Sequence, residues 1–390
     1  MGRILNYIEK NGNGVYHCYQ TQKVFLETTD FDILNYDDKP VTTIKSSKFA
    51  ETDPSRVQTV TIRDNLMKKT RPIFSFFLDG SRRTYKVDDI SIGKKIFPFL
   101  AGQIVVGCCE RIDRDTFKPF RLCRDLVMAL PDDFDYDDEG ENFCRLYCEK
   151  INDEISHLSF VDSANLSFSK ILLYNTDKID SHSTNSKDSY KNRAVSAIQT
   201  QMTDKEQELV AQLCAENRLD STHYLIKDGS LEYNPDRQRT DEEKIKYRQN
   251  FRYVIGVSKS FDPELIPDFE GHKLSRTIAG LKPHERTKVY RYKSEFNGEE
   301  YAVWYLRLRN SNFRETNFSD IIKCEMVILN EGDFIPTDLV DVISANLINE
   351  AFPVCYGADS RWANHLYPVY LTETFCKSKY YNTEIILNLF

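Results

Sequence analysis

Two short apolar runs that each end in Asp-Gly-Ser constrain this chain more than any other feature. The first lies in Arg71–Val87, RPIFSFFLDGSRRTYKV, where Ile73, Phe74, Phe76, Phe77 and Leu78 lead into Asp79, Gly80 and Ser81. The second is YLIKDGSL, Tyr224–Leu231, which reaches Asp228 in the same way. Runs this rich in aromatics and this short read as strands rather than helices, and both are too apolar for one face to be solvated. Each therefore belongs in the interior of a sheet, with a carboxylate where the strand surfaces and a glycine that lets the backbone turn past it. A buried carboxylate is costly unless something offsets its charge, and a divalent cation does so. The alternative for Asp79 is a turn aspartate bonded to its own backbone, which Asp-Gly favours.

Around these strands the chain divides into two halves. Tyr85–Val87 is expected to return as the hairpin partner of 71–79, with Phe97–Arg111 as a third strand, giving an antiparallel meander. A helix is expected near Arg121–Leu130. The acidic run at 131–141 reads as a solvated loop, followed by a helix from about 142 to 155 and two strands within 157–174. Residues near 175–192 read as a surface loop. Beyond it come a helix over Arg193–Asn217, the strand ending at Asp228, a basic helical stretch over Arg237–Arg252, and a strand over Phe251–Ser258 stopping at Lys259. Helix and strand in alternation imply parallel pairing. The fold class is therefore α/β, a ribonuclease H-like mixed sheet of antiparallel meander plus parallel strands flanked by helices. Residues 1–60 are expected to form an N-terminal extension, with a dimer arm as one use of it, and 61–390 the main domain.

If the two Asp strands are parallel neighbours, Asp79 and Asp228 converge at their carboxyl ends, where open α/β sheets bind ligands. Two carboxylates so placed repel unless a cation bridges them. A third ligand is picked out by helical geometry. Glu206 stands four residues from both Met202 and Val210 and so lies on the apolar stripe, whereas Glu208 faces solvent. The alternative is an inward-leaning Glu206 whose head reaches back to water, and Glu216 is a weaker substitute as ligand. Asp79, Glu206 and Asp228 would together hold Mn²⁺ or Mg²⁺ for phosphodiester hydrolysis. Arg82, Arg83, Lys86, Lys259 and the Arg237–Arg252 stretch suit phosphate positioning, with Tyr247 and Phe251 among the bases; the alternative for the stretch is a solvated helix face with i,i+4 pairing.

Bulk properties fit this and exclude other classes. The 390 residues are 41% apolar and 29% charged, with a net charge of −8, which argues against non-specific coating of nucleic acid. No run approaches a membrane span, and neither a secretory leader nor a myristoylation signal is legible, so a cytoplasmic protein is expected. The ten cysteines match no zinc spacing and read as reduced thiols. There is no GxxxxGK[ST] and no GxSxG.

The sequence resembles the NurA nuclease family. The matching pieces are FFLDGSRR, YLIKDGSL, YVIGVSKS, VWYLRLR at 303–309 and LYPVYL near the C terminus, in the family's order over roughly residues 70–390. The resemblance implies a manganese-dependent DNA nuclease of ribonuclease H-like fold. It also implies a ring-shaped homodimer working with a HerA-type hexameric ATPase, in DNA-end processing or phage defence. It carries Asp79, Glu206 and Asp228 over as metal ligands and Tyr367 as the family's C-terminal Tyr-Pro at the DNA. One departure stands out. The family's metal-binding His, eight residues beyond that Tyr, is Phe375 here, with His365 and Glu373 nearby as substitutes. The alternative is a catalytically weakened NurA-like subunit that docks on and regulates the ATPase; an RNA-directed ribonuclease of the same fold is a third reading.

Overall fold

The computed structural model describes residues 2–12, 15–26, 49–134, 141–177, 189–233, 239–261, 274–294, 296–309, 316–355 and 362–390. Its spine is a meander of three long strands, β4 (Phe74–Ile92), β5 (Lys95–Arg111) and β6 (Phe117–Pro131), preceded in the chain by β1 (Tyr16–Cys18), β2 (Val24–Phe25) and β3 (Thr59–Thr61). The expected turn after Asp79 is absent. β4 runs straight through Asp79-Gly80-Ser81, because β5 supplies a partner all the way from Phe76↔Glu110 to Ile92↔Lys95. The chain reverses at Gly93 instead, whose φ of +60° suits a two-residue hairpin loop. Tyr85–Val87 is therefore the continuation of the first strand, not its partner. The helix expected near Arg121–Leu130 is the second half of β6: the unpaired edge of β5 takes this segment as a strand, pairing Leu100 with Ala129 and Gly102 with Val127.

Helix α3 (Glu141–Ser156) lies where it was expected, but the two strands expected within 157–174 are a helix, α4 (Ser159–Ala164), and one strand, β7 (Lys170–Tyr174). Then come α5 (Tyr190–Ala215), β8 (Tyr224–Asp228), α6 (Asp241–Asn250) and β9 (Val254–Ser258). The centre of the loop expected near 175–192 and the run 135–140 lie outside the described residues. Helix α5 is capped by the Ser189 hydroxyl, and α6 by a Thr240–Glu243 capping box with three acids in its first turn. The start of the supposedly basic stretch is thus acidic.

In the sheet, β8 pairs parallel with β4, and β9 parallel with β8, which gives the central order β6-β5-β4-β8-β9. This is the antiparallel meander joined to parallel strands that defines the ribonuclease H-like layout. The sheet grows outward on both sides. β7 adds parallel to β6, while β13 (Ile321–Val327), β12 (Glu300–Arg307), β10 (Glu285–Thr287) and β3 extend the other edge, with β11 (Tyr290–Lys293) also on β12. Strands β1 and β2 pair with the far half of β4, and α1 (Arg3–Asn11) buries Ile4, Leu5 and Ile8 beside them.

Side chains alternate across the sheet and so feed two layers. On one face, Phe76, Leu78, Ile104 and Val106 pack under Ile198, Met202, Leu209 and Val210 of α5. On the other, Phe74, Phe77, Ile226, Val257 and Trp304 meet Val340, Ile343 and Leu347 of α8 (Thr337–Glu350) and Val369 of α9 (Tyr367–Lys377). Each such fully buried apolar side chain stabilises by about 1.5–3 kcal/mol. The remaining α-helices among the described residues are α2 (Asp64–Lys69), α7 (Leu274–Ala279) and α10 (Thr383–Leu389). No helix among the described residues is long and apolar enough to cross a membrane. All ten cysteines are free.

Candidate active site

The strand register brings the two aspartates together. Leu78 pairs with Lys227 in the β4/β8 ladder, so Asp79 and Asp228 follow as neighbours at the carboxyl ends of two parallel strands, on the face that α9 covers. Asp79 is 5% exposed and its Oδ2 has no hydrogen-bond partner; Oδ1 of Asp228 is likewise buried and unbonded. Burial pushes the Asp79 carboxyl well above the usual carboxylate range, and the charges of Asp228, Glu373 and Glu206 push the same way, against Lys259.

Lys259, the residue after β9 and its terminal Ser258, enters this acidic group from the next strand. Its Nζ lies 2.8 Å from Asp228 Oδ2 and 3.0 Å from Glu373 Oε2 of α9. Burial alone would lower its pKa, but the Asp228, Glu373 and Asp79 carboxylates outweigh that and hold it raised. Glu373 is depressed to about 2: burial opposes its ionisation, and the Lys259 and Lys377 ammonium groups overcome it. His365 stands 4.0 Å from Glu373, and Phe375 sits over Gly107, the β5 residue opposite Asp79.

Glu206 reaches the same strand from the opposite face. It is 2% exposed, its carboxylate lies 3.2 Å from Lys227 Nζ, and the Tyr233 hydroxyl donates to it at 3.4 Å. Burial raises its pKa against the pull of Lys227. Glu208 pairs with Lys205 on the solvated side, and Glu216 is engaged with Arg121 at the exposed end of α5. Gly80 makes room for Glu206, since a Cβ on Gly80 would overlap the Glu206 carboxylate oxygen. The glycine after Asp79 thus serves a close approach and not a turn. Gly80→Ala is expected to destabilise the fold by about 1–3 kcal/mol, read as a lower denaturant midpoint. Gly102→Ala, further along the same groove against Ile198 and Val127, is the comparison for overpacking that leaves the acids in place.

The second Asp-Gly-Ser does turn. Gly229 has a φ of +84°, and the loop is pinned from below, with the Ser230 hydroxyl and Leu231 N–H donating to Glu325 Oε2 at 2.9 and 2.8 Å. Lys323 neutralises Glu325 at 2.8 Å. Sequence reasoning passed over Lys227, Lys323 and Glu325. The signal was present, since each interrupts an apolar strand, YLIKD or IIKCEMV, on the face that carries the loop.

The basic residues expected to hold phosphates are engaged within the fold. Arg82 donates to Gln199 of α5 at 2.5 Å, the Arg83 guanidinium stacks 4.4 Å from the Tyr380 ring, and Lys86 pairs with Asp89 at 2.6 Å. Tyr247 and Phe251 are buried against each other at 4.5 Å between ring centroids. Tyr367 opens α9 and edges onto Phe117. The site residues gathered at one place are therefore Asp79, Asp228, Lys259 and Glu373, with Glu206 and Lys227 behind Gly80. Among the described residues, no three His, Cys, Asp or Glu side chains already stand together as a metal-binding group.

No family model matches the sequence, and no curated protein matches it. Among solved structures, the chain is similar to the NurA nuclease from Sulfolobus solfataricus. The TM-score is 0.38 and the identity 12%, over 80% of this chain and 83% of that one.

Proposed function

We propose that this chain is a divalent-metal-dependent DNA nuclease. The observation that carries the reading is the pair Asp79 and Asp228, whose buried oxygens Oδ2 and Oδ1 lack any hydrogen-bond partner at the ends of adjacent parallel strands. Two such hard oxygen donors, in a group with a surplus of carboxylates, fit Mn²⁺ or Mg²⁺. When bound, the metal would supply a Lewis acid for phosphodiester hydrolysis. Asp79 and Asp228 would hold it, and Glu206, the third ligand by the motif resemblance, would join them by leaving Lys227 and coming round the strand past Gly80. Lys259 spends two of its three N–H donors on Asp228 and Glu373, which leaves one to position a phosphate oxygen. Glu325 and Lys323 keep the loop after Asp228 in place, so that the carboxylate meets its target without reorganising.

The HerA-type ATPase, the homodimer and a role in DNA-end processing or phage defence enter this proposal through the motif resemblance. A second reading, the catalytically weakened subunit that docks on such an ATPase, is favoured by a different observation. Lysines already neutralise Asp228, Glu373 and Glu206, and Phe375 stands at the position of the family's His. End-labelled single- and double-stranded DNA incubated with Mn²⁺, Mg²⁺ or EDTA separates the two. The nuclease reading expects metal-dependent cutting by wild type and its loss in Asp228→Asn and Glu206→Gln. Wild type inert with every metal, with and without a HerA-type ATPase, would sink it in favour of the docking subunit.

A further inference from the structure

Away from the acidic group, α2 (Asp64–Lys69), the β5–β6 hairpin and the C-terminal end of α8 enclose a cleft of about 1190 Å³. Its wall is built. Arg111 donates to Phe74 O at 2.8 Å, pairs with the largely buried Glu350 at 2.5 Å, and lies 4.7 Å from the Phe117 ring. That fixed guanidinium holds Phe117 against Tyr367, at 6.3 Å between centroids, on one side of the cleft. Phe352 stands on the rim, 54% exposed, although the Arg309 guanidinium lies 5.2 Å from its ring. Lys68, Arg71 and Arg114 line the same cleft; all three are exposed and none makes an ion pair among the described residues.

We propose that this cleft binds a short single-stranded stretch of nucleic acid, with Phe352, Phe117 and Tyr367 stacking on bases and Lys68, Arg71 and Arg114 on phosphates. Aromatic faces interleaved with unpaired cations are what a flexible strand with splayed bases selects. Asp64 and Asp115 at the same rim keep the net charge modest, which suits a few phosphates and stacked bases rather than the dense charge of a duplex. One helix runs from the cleft to the acidic group. Tyr367 and Glu373 both sit on α9, and at the helical rise six residues span about 9 Å. The proposal rests on the nuclease reading and gives that site a holding point for the strand on one side of the aspartates.

The test is fluorescence anisotropy of a labelled oligothymidylate with the full chain in EDTA, where no cleavage intervenes, beside cleavage of the same oligonucleotide in Mn²⁺. Lys68→Glu/Arg71→Glu/Arg114→Glu is expected to weaken binding at least tenfold and to lower the salt slope by about 2, and Phe352→Ala to weaken it about fivefold or more. Circular dichroism and melting check that these surface variants fold. Wild-type affinity in both cleft variants overturns the proposal. So does equal binding of the matched duplex, or competition by an oligoglutamate as effective as by unlabelled DNA. Weakened binding in the cleft variants with no cleavage by wild type would leave the cleft standing and remove the nuclease reading.

Discussion

Replacing Lys259 by methionine is expected to destabilise the protein by about 3–5 kcal/mol at neutral pH, the cost of leaving buried charge without its partner. Methionine keeps the apolar stem and removes only the ammonium, so packing is nearly conserved. Asp79, Asp228 and Glu373 would then face one another with only Lys377, at the exposed side of Glu373, left to offset their charge. The sign of the pH dependence follows from Glu373. In wild type its carboxyl is held down at about 2, so its contribution to stability is complete above the ordinary glutamate range and lost as pH falls through about 2. Without Lys259 that depression is weakened, Glu373 takes up its proton at higher pH, and the variant's deficit shrinks as pH falls from 7 toward 4. Urea midpoints of both proteins at several pH values measure this directly. Added Mn²⁺ should restore part of the loss, because a cation in the acidic group substitutes for the missing charge. A variant as stable as wild type at pH 7 would mean that these carboxylates do not depend on Lys259.

Asp79→Asn is expected to move stability and activity in opposite directions. Cleavage should fall by at least about 100-fold, more than the loss of a group that merely supports a metal ligand. The melting temperature should rise, with a gain of about 1 kcal/mol or more at neutral pH, because the amide carries no charge to bury beside Asp228, Glu373 and Glu206. Asp79 is a carboxyl whose folded-state pKa is raised. The penalty for ionising it therefore builds up as pH rises from the ordinary aspartate range through that raised value, and is absent below the ordinary range. The stability gain of the variant should accordingly grow as pH rises above the ordinary aspartate range and vanish below it. Metal should stabilise wild type more than Asp79→Asn. If the variant melts lower than wild type at every pH, the burial of an uncompensated Asp79 charge is the wrong physical account of this site.

Much of the fold could be read from the chain because its elements are bounded by chemistry that acts locally. YLIKD before a glycine of positive φ, the apolar stripe of α5, and VIGVS stopping at a polar Ser-Lys each specify an element whatever surrounds them. The meander was harder. Asp79-Gly80-Ser81 carries the same letters as Asp228-Gly229-Ser230, yet one continues as strand and the other turns. The difference is the partner, since β5 offers hydrogen bonds beyond Asp79, while β8 ends against β9 and a loop pinned by Glu325. Arg121–Leu130 fails as a helix for the same reason, because a paired edge overrides a weak local preference.

The sequence by itself singled out Asp79, Glu206 and Asp228, legible because an ionised group on an apolar run is costly and so conspicuous, while Lys259 was legible only as the basic residue at which a strand stops. It also determined the class of sheet, since helix–strand alternation after a meander admits few topologies. Only the tertiary structure decided the pairings. Lys259 stands between Asp228 and Glu373, Lys227 holds Glu206 behind Gly80, and Arg82, Arg83 and Lys86 are engaged on α5, Tyr380 and Asp89. A charge's partner depends on distances of a few ångströms between segments remote in the chain, and no local pattern encodes that separation.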